Sequence, residues 1–298
     1  NEKDKGIRNV MSKERLAIVG IFYDGYEDVW RDFVRCFRKF WKDCPYHVYI
    51  VDITENPKYF EENGMTVINA GEGAEYSKKV QTALQQIDAD YYLLMLEDFF
   101  LGHKLEKSIL EPILDYIEAK NIKYYSLSAL SSFTKYHSTL FAKNKEYLYN
   151  INPDLRYTLG CQAVIWRKDF LQKCIGTRNY NAWVFEGALT TSKVVHTKQF
   201  LQGCVKDTRN ILGLKHGVLQ SKMLPRTVEY YKSIRFPLTT SRTIMSESDF
   251  RKYVMRSKVS AIVPKALHGA LKKIISKGAV LDKFSDEIRI VIKENFGE

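Results

Sequence analysis

At 298 residues, with 45% hydrophobic and 27% charged side chains, the chain has enough apolar material for a full core, which excludes a disordered chain and a small stapled scaffold. Its formal charge of +11 points to acidic company: nucleic acid, an anionic membrane surface or phosphorylated small molecules. Five cysteines, an odd number without a CxxC pair, argue against a disulfide framework and a thiolate zinc site and suit a reducing cytoplasm.

No run approaches the roughly 20 apolar residues of a membrane-spanning helix, and no signal peptide is legible. Residues 1–13 are polar and charged and read as a flexible N-terminus or an expression remnant around Met11. Residues 16–22 form a buried strand, followed by a turn at Asp24-Gly25-Tyr26 and a helix over 26–41 with Val29, Phe33, Phe37 and Phe40 as its inner stripe. A second strand over 47–53 carries Asp52 at its end, and a third covers 65–69 after the Asn63-Gly64 turn. The glycine-bearing loop 71–74 opens a helix over 75–87, which leads into the run 91–101, Tyr-Tyr-Leu-Leu-Met-Leu-Glu-Asp-Phe-Phe-Leu. An apolar strand here ends in two adjacent carboxylates, Glu97 and Asp98. Carboxylates are costly to desolvate unless paired, hydrogen-bonded or bound to a cation, so the pair reads either as a site or as a solvated turn after an edge strand.

A helix over 105–120 and a strand over 123–129 extend the alternation. The class this predicts is α/β, a largely parallel sheet covered by helices, with ligands at the carboxyl ends of the strands. The polar and aromatic stretch 131–156 precedes a strand over 160–167, and loops of that length in a compact domain are usually functional. From Ser246 the chain reads as helical. Pro264 opens an amphipathic helix with Leu267, Leu271 and Ile274 on one side and Lys265, Lys272, Lys273 and Lys277 around it. Such a helix suits an anionic leaflet, its own domain or a dimer contact equally.

The motifs, in this order, resemble those of GT-A type nucleotide-sugar glycosyltransferases, in particular bacterial enzymes of capsule or lipopolysaccharide synthesis. The resemblance spans residues 16–231 and rests on several weak signals. Tyr23-Asp24-Gly25-Tyr26-Glu27-Asp28-Val29-Trp30 looks like the opening strand and helix of that family. There, the loop after the first strand and the acidic end of the second touch the nucleoside, which makes Tyr23, Asp24 and Asp52 donor-binding candidates; Asp52 reads equally as a turn cap. Gly71-Glu72-Gly73-Ala74 with Tyr76, Ser77, Lys78 and Lys79 offers a helix N-terminus to a diphosphate, with Gly73 and Lys78 as donor-binding candidates, although at least one of the lysines fits a solvated surface position. Glu97 and Asp98 occupy the place of the family's DxD motif, which implies donor binding through a divalent metal, Mn2+ or Mg2+. This sequence has Glu-Asp rather than Asp-x-Asp, which leaves Asp98 as the metal ligand.

Further on, Gly160-Cys161-Gln162 and Trp183-Val184-Phe185-Glu186 look like the family's acceptor segments. By resemblance Glu186 is the catalytic general base of an inverting transfer, and Gln162 and Trp183 bind the acceptor, whereas Trp166, in an apolar strand, suits core packing. Lys215-His216-Gly217 and Lys222 resemble the late histidine and basic residue that serve metal and phosphates, with a surface loop as the plain reading of His216.

The expectation is therefore a GT-A domain over 14–245 with a basic helical extension over 246–298. It is a hexosyltransferase-like enzyme taking a nucleotide-sugar donor, a UDP-sugar favoured, to a glycan or lipid-linked acceptor. It is cytoplasmic and peripheral at the inner face of the membrane. A scaffold built on a degenerate transferase domain and a basic nucleic-acid-binding protein are the other readings of the charge; the positive residues are scattered rather than striped, against the latter.

Overall fold

The computed structural model describes residues 13–52, 57–128, 138–154, 159–262 and 283–298. Strand β1 (Glu14–Ile21) is buried on both sides from Leu16 onward, as a central parallel strand must be. Helix α1 (Glu27–Phe40) turns Val29, Phe33, Phe37 and Phe40 into the core, each fully buried aromatic contributing about 1.5–3 kcal/mol. Strand β2 (Val48–Asp52), the short helix α2 (Lys58–Glu61), strand β3 (Thr66–Asn69), helix α3 (Tyr76–Gln86) and strand β4 (Ala89–Met95) follow. β1 pairs in parallel with β2 and β4, and β2 in parallel with β3.

After Met95 the chain turns through Leu96-Glu97-Asp98, with the Phe99 N–H on the Leu96 carbonyl at 3.2 Å, and leaves the main sheet as strand β5 (Phe99–Phe100). Helix α4 (Glu111–Ala119) starts later than the periodicity implies. Pro112 sits in its first turn, where a missing N–H costs nothing.

The second half builds the other side of the sheet from strands β6 (Tyr124–Ser126), β7 (Leu148–Asn150), β8 (Val164–Arg167) and β9 (Cys204–Asp207). β8 inserts antiparallel between β4 and β6, β6 pairs in parallel with β9, and β7 closes the edge antiparallel to β9. The result is an eight-stranded mixed, mostly parallel sheet of order β3-β2-β1-β4-β8-β6-β9-β7 among the described residues, flanked by helices on both faces. This is the architecture expected of the sequence.

Helices α5 (Lys168–Ile175), α6 (Ala182–Thr191) and α7 (Lys198–Leu201) follow β8, and α8 (Pro225–Ser233), α9 (Glu247–Ile262) and α10 (Ser285–Phe296) come last. One apolar layer joins α1 and α4 to the sheet; the other joins α3, α5, α6 and α10 to the opposite face. Trp166 belongs to this second core and is fully buried, edge-on to Tyr124 and stacked on Phe170. Helix α10 is pinned to α5 and α6: Asn295 Nδ2 donates to the Cys174 carbonyl at 3.1 Å, and Glu298 accepts the Val194 N–H at 2.6 Å. The amphipathic helix read from Pro264 lies outside the described residues. Among those described, no helix is long and apolar enough to cross a membrane.

Residues 237–243 strap across α1. The wholly buried Asp32 accepts the N–H of Thr239 at 2.9 Å and of Thr240 at 3.0 Å, and pairs with Arg35 at 2.6 Å. Arg242 grips Asp28 at 2.8 Å. Asp32→Ala strands these donors, so urea denaturation should show a loss of about 3 kcal/mol. A loss below about 1 kcal/mol would mean that the strap contributes little beyond a single hydrogen bond.

Candidate active site

The carboxyl ends of β1, β2 and β4 lie side by side, and three acidic stretches meet there. Gly20 pairs with Met95, so the residues that follow β1 and β4 emerge as neighbours. Glu97 is buried, and its carboxyl is hydrogen-bonded by its own N–H and that of Tyr23. Desolvation and then the Asp98 charge push it well above the ordinary carboxyl value, with Lys79 opposing. It thus ties the ends of two neighbouring strands together.

The two lysines of the α3 start divide. Lys78 is exposed. Lys79 is buried and donates to the Phe22 carbonyl at 2.7 Å and to both Asp24 oxygens at 3.1 and 3.3 Å. Asp24 therefore stands paired beside the exposed Tyr23 ring, and Asp52 is fully buried at the end of β2.

Asp98 faces the late segment. Strand β10 (Lys215–His216) pairs antiparallel with β5, setting His216 opposite Phe99. The two rings stack at 4.3 Å, and His216 Nε2 lies 3.4 Å from Asp98 Oδ2. Gly217 N–H donates to the Asp98 carbonyl at 2.6 Å. A Cβ on Gly217 would meet the Phe100 ring at 2.5 Å and that carbonyl at 3.1 Å, which accounts for glycine after His216. Asp98 Oδ1 is buried with no hydrogen-bond partner among the described residues. The hairpin of β11 (Val218–Leu219) and β12 (Lys222–Met223) follows and leaves Lys222 exposed.

Glu186 arrives from the other side on α6. Asn181 caps that helix, its side chain accepting from Val184 N–H at 3.1 Å. The loop before it is locked to the start of α3. Ser77 N–H donates to the Tyr180 carbonyl at 3.0 Å, Tyr180 N–H to Ser77 Oγ at 2.7 Å, Glu75 N–H to Asn179 Oδ1 at 2.9 Å, and Asn179 Nδ2 to the Gly73 carbonyl at 2.9 Å. These bonds occupy two N–H groups of the helix start. Gly73, at φ +70°, has open space where a Cβ would be.

Burial raises the Glu186 carboxyl; a hydrogen bond from Cys161 opposes, and the Asp98 charge adds to the rise. Asp98 and Glu186, 88 residues apart in the chain, thus share one electrostatic environment. Cys161, pushed up by burial and by Glu186, and the buried Tyr76 hydroxyl complete the surroundings of the Glu186 carboxyl. Neither was a sequence candidate for this role; the signal was the Gly160-Cys161-Gln162 run itself, with a polar pair entering a buried strand. Gln162 Oε1 is buried with no hydrogen-bond partner among the described residues, and Trp183, 49% exposed, precedes Glu186 by one turn on the same helix.

Among the described residues no three His, Cys, Asp or Glu side chains converge to cage a metal ion. Asp98 and His216 remain as an oxygen and a nitrogen donor side by side. That pair fits an ion such as Mn2+ or Mg2+ that takes its remaining ligands from water and phosphate. A groove of about 400 Å³ lined by Asp90, Glu118, Arg167 and Asp169 lies at the opposite, amino end of β4, away from all these groups.

No protein-family model and no curated protein matches the chain in sequence. In structure it is similar to residues 1–349 of S. aureus TarS (TM-score 0.38, 13% identity, 85% of this chain and 67% of that one). It is also similar to a UDP-glucose pyrophosphorylase solved with UDP-glucose (0.36, 10%, 54% and 79%) and to glucosyl-3-phosphoglycerate synthase from Mycobacterium tuberculosis (0.34, 9%, 54% and 59%). The chain spans 41% of the longer TarS chain.

A raised carboxyl makes folding lose stability with rising pH. Above the ordinary value of 4.5 the unfolded chain releases the Glu186 proton that the folded chain holds, until the raised value is passed. Glu186→Gln escapes this, so it should melt above the parent protein at pH 8 and level with it at pH 4. A variant that gains nothing at pH 8 would show that Glu186 carries no desolvation penalty.

Proposed function

We propose that the chain is a glycosyltransferase that moves a sugar from a nucleotide-diphosphate donor, a UDP-sugar favoured, to a hydroxyl of a glycan acceptor carried on a lipid-linked cell-surface polysaccharide. The observation that carries this reading is that Asp98 and Glu186 lie within electrostatic reach of each other, one with an oxygen unpartnered among the described residues and the other desolvated. Two carboxyls with different surroundings take different tasks. The unpartnered oxygen of Asp98 suits a cation, and the raised Glu186 suits proton transfer near neutral pH.

In this reading Tyr23, Asp24 and Asp52 hold the nucleoside at the ends of β1 and β2. Glu97 fixes the turn from inside, and Gly73 lets the diphosphate approach the backbone, with Lys78 and Lys222 supplying charge from the rim. Asp98 and His216 would hold the divalent ion, which offsets the charge that develops on the departing diphosphate. Trp183 and Gln162 orient the acceptor sugar. Glu186 removes the proton of the acceptor hydroxyl as its oxygen attacks the anomeric carbon from the face opposite the diphosphate, so the C–O bond to acceptor forms as that to diphosphate breaks, with inversion. A membrane-peripheral position through residues 264–277 completes the proposal.

Glu186→Gln should retain UDP binding by calorimetry while transfer falls about 100-fold or more, the scale of a lost acid–base group. Full turnover in that variant ends the assignment. UDP should raise the melting temperature more with Mn2+ than in EDTA, because ligand binding to the folded state adds stability. Asp98→Asn should erase the difference; a UDP shift indifferent to both chelator and variant would leave phosphate binding to cationic side chains alone.

A further inference from the structure

The strap over α1 passes the loop that follows β1, and one of its residues does more than close it. Arg242 has a side chain only 15% exposed. Its Nε and Nη2 each reach an Asp28 oxygen at 2.8 Å, Nη2 also donates to the Gly25 carbonyl at 3.0 Å, and the guanidinium lies over the Tyr26 ring at 3.9 Å from the centroid. Making these three contacts at once takes a planar fork with several donors, which lysine does not have.

The contacts converge on Tyr23. Its side chain stands 59% exposed just beyond β1, yet the ring has two supports. Gly25 is one: a Cβ there would meet the Tyr23 ring at 2.6 Å, so the ring lies against this stretch of backbone and glycine makes room for it. Tyr26 is the other, edge-on to Tyr23 with centroids 5.4 Å apart and planes at 75°. Both are the groups that Arg242 holds, Gly25 by its carbonyl and Tyr26 by its face. The Tyr23 backbone is fixed separately, with its carbonyl accepting from Trp30 Nε1 at 3.1 Å and its N–H on Glu97. What Arg242 governs is therefore the ring.

The strap does not depend on Arg242 for its own place. On one side of it Asp32 accepts the N–H groups of Thr239 and Thr240 and the Thr239 hydroxyl, the last at 2.9 Å. On the other side Met223 N–H donates to the Thr243 carbonyl at 3.0 Å, and Met245 N–H to the Met223 carbonyl at 2.8 Å. A segment fastened at both ends leaves Arg242 to the loop.

We propose that Arg242 is a positioning residue for the nucleotide, holding the Tyr23 ring as a preset stacking face for the base of the donor. This rests on the transferase reading, because an exposed ring at this strand end matters to the reaction only where a nucleoside lies beside it. A ring already in place spares binding the cost of ordering a side chain. Arg242 reaches the base only through Tyr23, which sets it apart from a residue that touches the nucleotide.

The test is calorimetric titration of UDP into the full chain and its variants. Arg242→Met should weaken UDP binding about fivefold, the scale of ordering one side chain. In a Tyr23→Ala background the same substitution should cost less than about twofold, because the ring it acts through is gone. Thr239→Val, which removes one bond of the strap to Asp32 away from the loop, should melt lower yet bind UDP as the parent does. Where Arg242→Met does not fold, Arg242→Lys takes its place with the same expectation, since it keeps a charge for Asp28 without lying flat on Tyr26 and reaching Gly25 together. Equal losses in both backgrounds, a loss of the same size in Thr239→Val, or no loss at all overturns the role of Arg242. Absence of UDP binding in the parent retires the transferase reading instead, and this role with it.

Discussion

A carboxylate taken out of water must find a cation, a set of donors or a proton, and at the carboxyl edge of this sheet several carboxylates compete for very few cations. Lys79 is spent on Asp24 and on the Phe22 carbonyl. Glu97 settles for backbone N–H groups, and burial with the Asp98 charge keeps it protonated more readily than usual. Asp98 has a histidine beside one oxygen and, among the described residues, no hydrogen-bond partner on the other. Glu186 is left to a thiol and to its own desolvation. Such a cluster is at odds with a purely structural purpose, since apolar residues of similar volume would stabilise the fold better. The deficit of positive charge is what a cation and a proton acceptor require, and the proposed chemistry uses both.

Strand order alone does not bring Asp98 and Glu186 together. The two carboxylates that matter most ride on unrelated segments, one on the turn after β4, the other on a helix reached only after the antiparallel β8. What fixes α6 against α3 is the pair of reciprocal bonds between Ser77 and Tyr180, reinforced by Asn179 bridging Glu75 and Gly73. These hydrogen bonds use the N–H groups that a helix start leaves free, so the α3 terminus serves as a fastening for α6. On the proposed reading, the diphosphate is then left with the open backbone at Gly73 rather than with the dipole of a bare helix end.

The alternation of strand and helix through residue 128 was legible in the sequence because each element is buried in the ordinary way: continuous apolar runs for β1 and β4, a helical stripe for α1. Glu97 and Asp98 stood out for the same reason, as charges where the pattern demands none. Beyond residue 168 the sequence was silent about β9, about the small strand pair that brings His216 to Phe99, and about the pinning of α10. Those depend on two-residue strands and on side chain to backbone bonds across a hundred positions, for which no periodicity exists. The Lys78–Lys79 ambiguity is instructive. Adjacent lysines on a helix point about 100° apart, so one reaches solvent and its neighbour the core, and only the packing tells which.

The same face of the sheet divides into two halves of different character. Under α3, where β1 and β4 lie, it is apolar and the polar groups are confined to the strand ends. Where β6 and β9 lie, polarity reaches one row further in, through Ser126 to the half-buried Lys206. On the proposed reading Glu186, within electrostatic reach of Asp98 on the turn after β4, stands where donor and acceptor have to meet.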